Sequence, residues 1–435
     1  MFSGLISKII PLKTKVFLKQ KLNFIREFYF TREIKKIKSS QAYIVKELRQ
    51  KRKLKVIFLA LYDSVWKYEE VYRLLDKDPK FVANVVVCPL VRNGKADMTV
   101  YKNTLNYFLN NDYNVLPSYD SENDCWRDIK AITQPDIVFF TLPHNLTFDK
   151  YSIYNFIDKL TCYVPYAFVV IHLIEMHYNQ RIHHYLWKYF VETKFHEAFA
   201  KKYAKSITSN VVVTGYPGLD RKFAPDYIPS DYWKPYLDNK VKKIIWAPHH
   251  SIEGQESRLY FSNFINYSDY FIELLKENRH IQMAFKPHPF LKKKLYGDKN
   301  WGKAKTDDYF ETWNALPNGQ LEEGAYLDLF ALSDAMIMDS ASFIVEYLYF
   351  NKPILFTMYD DSVKERFNPF GQMVFDFLSK AKNSTEIDGF ITEVVIADND
   401  LLGKSRNQFF IDNILPQNGN TASENIYQQL KIELQ

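Results

Sequence analysis

The stretch Ala331-Leu-Ser-Asp-Ala-Met-Ile-Met-Asp-Ser-Ala-Ser-Phe-Ile-Val-Glu-Tyr-Leu-Tyr-Phe-Asn-Lys-Pro-Ile-Leu-Phe356 reads as strand, sharp polar turn, helix and strand. Ala335 to Met338 is a short apolar run that stops at Asp339, and Pro353 to Phe356 opens another. Between them, Asp339-Ser-Ala-Ser342 is small and polar, and the spacing beyond it predicts an amphipathic helix carrying Glu346. Small side chains at a helix N-terminus let backbone N–H groups reach an anion, and the helix dipole adds attraction. Phosphate suits such a turn. So does no ligand at all, because Asp and Ser are preferred N-caps whatever the function.

Working outward, the same alternation of apolar runs and helical spacing fills most of the chain. Upstream, Lys243 to Ala247 and Ile281 to Phe285 read as strands of the same series. An earlier series comprises Val56 to Leu61, Phe81 to Cys88, Gln134 to Phe140, Tyr166 to Ile171 and Ile207 to Thr214, with helices expected near 65–75 and 99–111. Strands alternating with helices imply parallel βαβ units, so the fold class is α/β with two doubly wound, Rossmann-like domains. The Pro-, Tyr- and Asp-rich segment from Asp220 to Lys240 reads as the connection, and Thr421 to Leu434 as a closing helix. The expected domains are therefore 54–235 and 236–435, behind an arm of residues 1–53.

That arm carries much of the charge. Residues 1–55 contain sixteen Lys or Arg and three Glu, a balance of +13, so the remainder of this +6 chain is at −7. A nucleic-acid binder would spread a basic face over its folded body, so nucleic acid is not an expected partner. Leu18, Leu22, Ile25 and Tyr29 recur at helical spacing among basic residues, which suits an arm lying on an anionic membrane surface. Packing on its own domain, or in a homo-oligomer, is the alternative. No apolar run is long enough to span a bilayer, and Pro11, Lys13 and Lys15 break the only early one. Cys88, Cys125 and Cys162 are widely spaced among apolar or aromatic neighbours, which reads as buried, reduced thiols in a cytosolic protein.

Three polar clusters follow predicted strands of the second domain: His249-His250-Ser251, Lys286-Pro-His288 and Asp339-Ser340-Ala341-Ser342. Strand C-termini of a parallel sheet share one edge, so the three can meet on one ligand. Lys286 and a histidine would offset phosphate charge, and Glu346 would accept hydrogen bonds from ribose hydroxyls. In the first domain His172, Glu175, His177, His183 and His184 supply titratable groups, any of which could act as a general base. No Cys pair or His-Glu-x-x-His is present, so neither metal nor cofactor is expected.

The ordered set Thr214-Gly-Tyr-Pro-Gly-Leu-Asp220, Trp246-Ala-Pro, Lys286-Pro-His-Pro289, Ser333 to Ser342 and Asn351 to Phe356 resembles the CDP-glycerol glycerophosphotransferase family, which builds teichoic acids and related capsule polymers. The resemblance implies a GT-B fold, two domains facing a cleft. It implies a transferase moving a polyol-phosphate from a CDP-linked donor to a lipid-linked or polymeric glycan acceptor, peripheral on the cytoplasmic face of the membrane. His288 matches the family's His-Pro histidine, a candidate catalytic group at the donor diphosphate or leaving group; Asp339 and Ser342 match its Asp-Tyr-Ser-Ser element, and Glu346 an acidic position. Three departures stand out, the first being Ala341 where the family's element has a serine, so that one phosphate-facing hydroxyl is absent or moved to Ser340. His249-His250-Ser251 replaces a Thr followed by Arg, and the Trp-His-Gly motif of the first domain is missing, which directs the search for a base to His172, His177 and His183. A glycosyltransferase or epimerase-like enzyme using a UDP-sugar, and a non-catalytic scaffold, are the competing readings.

Overall fold

Every strand of the two main sheets runs parallel to its neighbours. The computed structural model describes residues 12–204, 208–237, 241–252, 260–341 and 343–435, with side chains from residue 26 onward. The first sheet comprises β1 (Leu54–Ala60), β2 (Phe81–Val87), β3 (Val115–Pro117), β4 (Ile137–Phe140), β5 (Leu160–Tyr163), β6 (Lys188–Val191) and β7 (Val211–Val213), in the order β7-β6-β5-β4-β1-β2-β3. The second comprises β8 (Lys242–Ala247), β9 (Ile281–Phe285), β10 (Gly319–Leu321), β11 (Ala335–Met338), β12 (Ile354–Thr357) and β13 (Ser379–Ala381), ordered β10-β9-β8-β11-β12-β13.

Both orders are doubly wound, with a switch point between β1 and β4 in one half and between β8 and β11 in the other. Helices cover both faces of such sheets, which is why β4, β9, β11 and β12 are buried along their whole length and read as unbroken apolar runs.

Three expectations need correction. The fourth strand is not Tyr166 to Ile171. The sheet uses Leu160–Tyr163, and the chain leaves it at Val164-Pro165, where proline has no N–H to give a ladder. Tyr166 to Ile171 is apolar for another reason: Phe168, Val169 and Val170 are buried against the second half, where Val170 O accepts Asn368 N (2.7 Å), Val169 O accepts Asn368 Nδ2 (2.6 Å) and Ile171 bridges Phe367. Nor does the Asp339 turn open an amphipathic helix. One α-turn (Phe343–Glu346) runs into a 3-10 turn (Tyr347–Phe350) that Asn351 ends at φ 48°. Ile344 to Tyr349 are all buried, so the segment has no polar face. Cys88 and Cys162 are buried thiols as expected, but Cys125 is exposed on a short hairpin.

The arm is a single helix, Leu12–Arg49; its first eleven residues lie outside those described. From Ile34 onward it packs on the first half through Ile34, Ile37, Gln41, Val45 and Leu48, the spacing of one helical face. Gln41 Nε2 donates to Tyr185 O (2.8 Å), and Arg49 Nε to Glu433 O (2.9 Å). The preceding turn exposes Phe28 and Tyr29. No described helix is long and apolar enough to cross a membrane. The closing helix, Ala422–Leu434, starts at a Thr421–Glu424 capping box and buries Ile426, Leu430 and Leu434 in the core of the first sheet. The chain thus returns to the half in which it began.

One buried acid steadies the seam between the halves. Glu192 Oε1 accepts Val169 N (3.1 Å), and its Oε2 has no partner among the described residues. Burial pushes Glu192 up to about 8 and His196, whose Nδ1 lies 4.0 Å away, down to about 3, so two neutral groups meet there and no ion pair forms. The folded chain keeps a proton on Glu192 that the unfolded chain loses, so this group's contribution to stability declines as pH rises from 4.5 to about 8. Thermal melts between pH 5 and pH 9 should show that decline in the native chain and a flatter profile in Glu192→Gln. Parallel profiles for the two proteins would mean that Glu192 is ionised in the fold.

Candidate active site

The three polar clusters leave adjacent strands, β9, β8 and β11, at the same edge and astride the switch point of the second sheet. Backbone hydrogen bonds lace them together. Lys286 N donates to Trp246 O (2.8 Å), and His288 N to Pro248 O (3.0 Å). Asp339 closes the set from the other side: its Oδ1 accepts His249 N (2.5 Å) and its Oδ2 accepts Asn263 N (2.6 Å). Asn263 Nδ2 then donates to Thr357 O (2.9 Å), which ties in β12. Asp339 is 1% exposed, and burial pushes its carboxyl up to about 7 against the pull of those two amides. Its oxygens serve the chain's own backbone, so its observed work is to hold the histidine loop. Ser340 is buried beside it, and Ser342 lies outside the described residues.

His249, His250 and His288 come together in front of this support. Ring centroids of His249 and His250 are 4.2 Å apart and stacked; His288 stands edge-on to both, at 5.2 and 4.2 Å. One nitrogen from each lies within 4.8 Å of the other two. Burial drives His249 well below the usual imidazole range, His250 to about 4 and His288 to about 3, so all three rings are neutral near pH 7. His249 Nδ1 is 2.7 Å from Ser251 Oγ, which also accepts Phe261 N (3.0 Å); the Phe290 amide donates to His288 Nδ1 (3.1 Å). Ser251 therefore props a ring and is itself buried.

Lys286 is buried at the same edge, with Nζ donating to Gly324 O (2.7 Å) and Glu322 O (3.3 Å), and burial lowers it to about 8. Glu346 lies deeper, in the seam. Tyr326 Oη donates to Glu346 Oε2, and Lys67 Nζ from the first half donates to Tyr326 Oη (2.8 Å). Burial raises Glu346 and lowers Lys67, each opposed by the other's charge. The expected ribose acceptor is thus engaged in a bridge between halves.

The first-half histidines divide sharply. His172 is exposed where the halves meet, with Nδ1 2.9 Å from Arg366 O. A carbonyl can only accept, so Nδ1 carries a hydrogen, and in the neutral ring the lone pair is the one on Nε2. His177 is half-buried, and desolvation lowers it to about 4. His183 is fully buried beside Tyr189, its Nδ1 accepting Gln180 N (3.2 Å), and His184 bonds Asn179 Oδ1 (3.1 Å). These two belong to the interior on which the arm packs, since Phe30 meets the His184 ring at 5.3 Å.

Between the halves, next to the histidine cluster, lies a cavity of about 530 Å³. Tyr62, Leu90, Arg92 and Leu146 line it from the first half, and Phe290, Lys293, Lys294 and Gly297 from the second. Three cations and no acid line it. Phe290 touches both His250 and His288 (centroids 5.9 and 5.5 Å), and Arg92 lies over the same ring. Sequence reading missed these groups; the triple lysine at 292–294, two residues beyond Lys286-Pro-His-Pro289, was the available signal.

The family model for CDP-Glycerol:Poly(glycerophosphate) glycerophosphotransferase matches residues 174–431, which include all three loops and more than half of the chain. The chain belongs to that family. A teichoic acid poly(ribitol-phosphate) polymerase of Bacillus spizizenii (strain W23) is 28% identical over 209 residues, 45% of this chain and 31% of that protein, so the chain spans about a third of its curated relative's length. Among solved structures, the wall teichoic acid polymerase TagF soaked with CDPG superposes at a TM-score of 0.53, with 11% identity over 94% of this chain and 98% of that one. MnaA of S. aureus with UDP gives 0.52 and 17% over 88% and 98%. At such identities the likeness concerns architecture alone, and it is that of the GT-B fold expected from the sequence.

If Asp339 is the clasp described, Asp339→Ala strands two buried amides at roughly 1–3 kcal/mol each, and Asp339→Asn, which keeps one acceptor oxygen, costs less. Chemical denaturation of the three proteins checks this order. An unchanged midpoint for the alanine variant would show that His249 N and Asn263 N find other partners.

Proposed function

We propose that this chain transfers glycerol-phosphate, or a related polyol- or sugar-phosphate, from a CDP-activated donor to a glycan or polyol-phosphate acceptor in surface-polymer synthesis. The observation that carries this reading is the meeting of His249, His250, His288 and Lys286 at the switch point of the second sheet, in a chain of the glycerophosphotransferase family. Nucleotides bind outside strand C-termini at such points in doubly wound folds. The donor's diphosphate lies against the histidine cluster, and residues from 236 onward act as the donor side, apart from the closing helix, which packs on the first half. The acceptor enters from 54–235 through the cationic cavity, where Arg92, Lys293 and Lys294 attract a phosphate-bearing chain.

The acceptor hydroxyl attacks the phosphorus that carries the polyol. A P–O bond forms there, the diphosphate bridge breaks, and CMP leaves. His172 takes the hydroxyl proton through Nε2, the tautomer favoured by Arg366 O. Positioning and charge stabilisation supply most of the barrier reduction in phosphoryl transfer, which fits a site made of rigid loop ends. His183, being buried, acts on stability instead.

The arm supplies the membrane contact. Its packed half fixes it to the body, and the preceding turns offer Arg26, Arg32, Phe28 and Tyr29 to an anionic surface, as suits a peripheral enzyme on the cytoplasmic face.

A donor panel of CDP-glycerol, CDP-ribitol, UDP-sugars and their acceptors tests the reaction. CMP release from a CDP-polyol is expected, and nucleoside diphosphate release from a UDP-sugar alone would overturn the reading. His172→Ala should lower kcat by about 10²–10⁴-fold with little change in melting temperature. His183→Ala should do the reverse, lowering the melting temperature first. Removal of residues 1–30 should abolish binding to phosphatidylserine vesicles and spare turnover of a soluble acceptor; vesicle binding equal to that of the full chain would show that the arm has another task.

A further inference from the structure

We propose that His249, His250 and His288 form a site for a first-row divalent cation of the Zn²⁺ class, with coordination positions left open on the side of the cleft. Only those open positions depend on the donor reading, since they would meet its phosphate oxygens; the cation site itself stands on the three rings.

The donor set decides the class of ion. Three imidazoles with no carboxylate among them suit Zn²⁺, Co²⁺ or Ni²⁺, whereas Mg²⁺ and Ca²⁺ seek oxygen. Nitrogens within 4.8 Å of one another need a small closing movement, because ligands at about 2.0–2.1 Å from zinc sit within roughly 3.5 Å of each other. His250 Nδ1 is buried with no partner among the described residues, an unusual state for a ring nitrogen and one that a cation resolves.

The supports of a metal site are also in place. Ser251 meets His249 Nδ1 twice, through Oγ at 2.7 Å and through its amide, which donates at 3.3 Å; ligation through Nε2 moves the ring proton to Nδ1, where Oγ accepts the hydrogen bond and the amide contact is given up. Asp339 holds the His249 amide, so the backbone carrying two of the three rings is fixed from behind. At His288 the Phe290 amide occupies Nδ1 at 3.1 Å, so ligation through Nε2 moves the ring proton to Nδ1 and gives up that contact. Three ligands close no coordination sphere. A site of this type keeps room for water or an anionic oxygen, which is the arrangement of reactive and not of purely structural zinc.

Sequence spacing hides the site, because two of the ligands are neighbours and the third comes from the next strand's exit. The fold brings them together: β8 and β9 are adjacent in the sheet, and the His288 amide is bonded to Pro248 O.

The test uses the full chain, stripped with a chelator and titrated with Zn²⁺ alone against a chromophoric chelator, with bound metal counted by mass spectrometry. About one equivalent bound at about 1 µM or tighter is expected. His250→Asn and His288→Gln should each weaken uptake by about 100-fold or more, since loss of supporting contacts alone costs 10–100-fold. His172→Asn, outside the cluster, should bind as the native chain does. Circular dichroism melts report whether each variant folds. Should a ligand variant fail to fold, Co²⁺ added to the native chain decides: intense visible bands of a low-coordinate nitrogen site support the proposal, and the spectrum of hydrated Co²⁺ overturns it. No Zn²⁺ uptake, or equal uptake by the ligand variants, also overturns it. CDP binding is measured separately on the stripped chain. Nucleotide bound without any Zn²⁺ uptake removes the cation site and leaves the donor reading; Zn²⁺ uptake with neither CDP binding nor turnover does the opposite.

Discussion

Two amides from different loops end on one buried carboxylate, and much of the second half's architecture follows from that. Asp339 takes His249 N and Asn263 N, so the exit of β11 fixes both the exit of β8 and the entry to the helix Phe264–Glu277. A carboxylate that is 1% exposed is costly unless its oxygens are used, and here both are. The benefit is precision. The imidazoles of His249 and His250 hang from a backbone that cannot drift, and His288 is tied to the same backbone through Pro248. A phosphate-facing aspartate could not do this, because it would be spent on ligand.

The body of the fold was legible because parallel strands buried on both faces leave a plain mark. Phe81–Val87, Ile281–Phe285 and Ala335–Met338 are apolar runs bounded by polar turns, and they are strands. Three-residue strands such as Val115–Pro117, Gly319–Leu321 and Ser379–Ala381 leave none, since their place in the sheet is given by neighbours and not by their own pattern. Tyr166 to Ile171 misled for a related reason: burial against another half of the molecule writes the same apolar run as burial in a sheet. The clustering of polar residues at strand exits was readable too, because it depends only on order along the chain. What each residue does there was not. Asp339 and Glu346 face inward to protein partners, and nothing in their spacing separates an inward from an outward carboxylate.

The two halves are held by groups that sequence could not pair. Lys67, Tyr326 and Glu346 form a buried chain across the seam, Asn368 grips Val169 and Val170, and Ser423 N returns the closing helix to Asp220 (2.6 Å). Each contact joins residues far apart along the chain, and each removes a polar group from water only by supplying a partner. Glu192 keeps one oxygen without a partner among the described residues, and it stays neutral instead.

Charge is arranged from the rim inward. Arg92, Lys293 and Lys294 stand at the cavity, while the inner cluster is built of neutral rings. Permanent cations packed in the inner position would repel one another and bear a desolvation penalty without a ligand. Neutral imidazoles avoid both, and they still present nitrogen lone pairs or N–H groups to whatever enters. On the proposed reading, long-range attraction and close recognition are thus given to different residues. The rim draws an anionic substrate toward the cleft, and the three rings fixed by Asp339 and Pro248 determine how its phosphates are held.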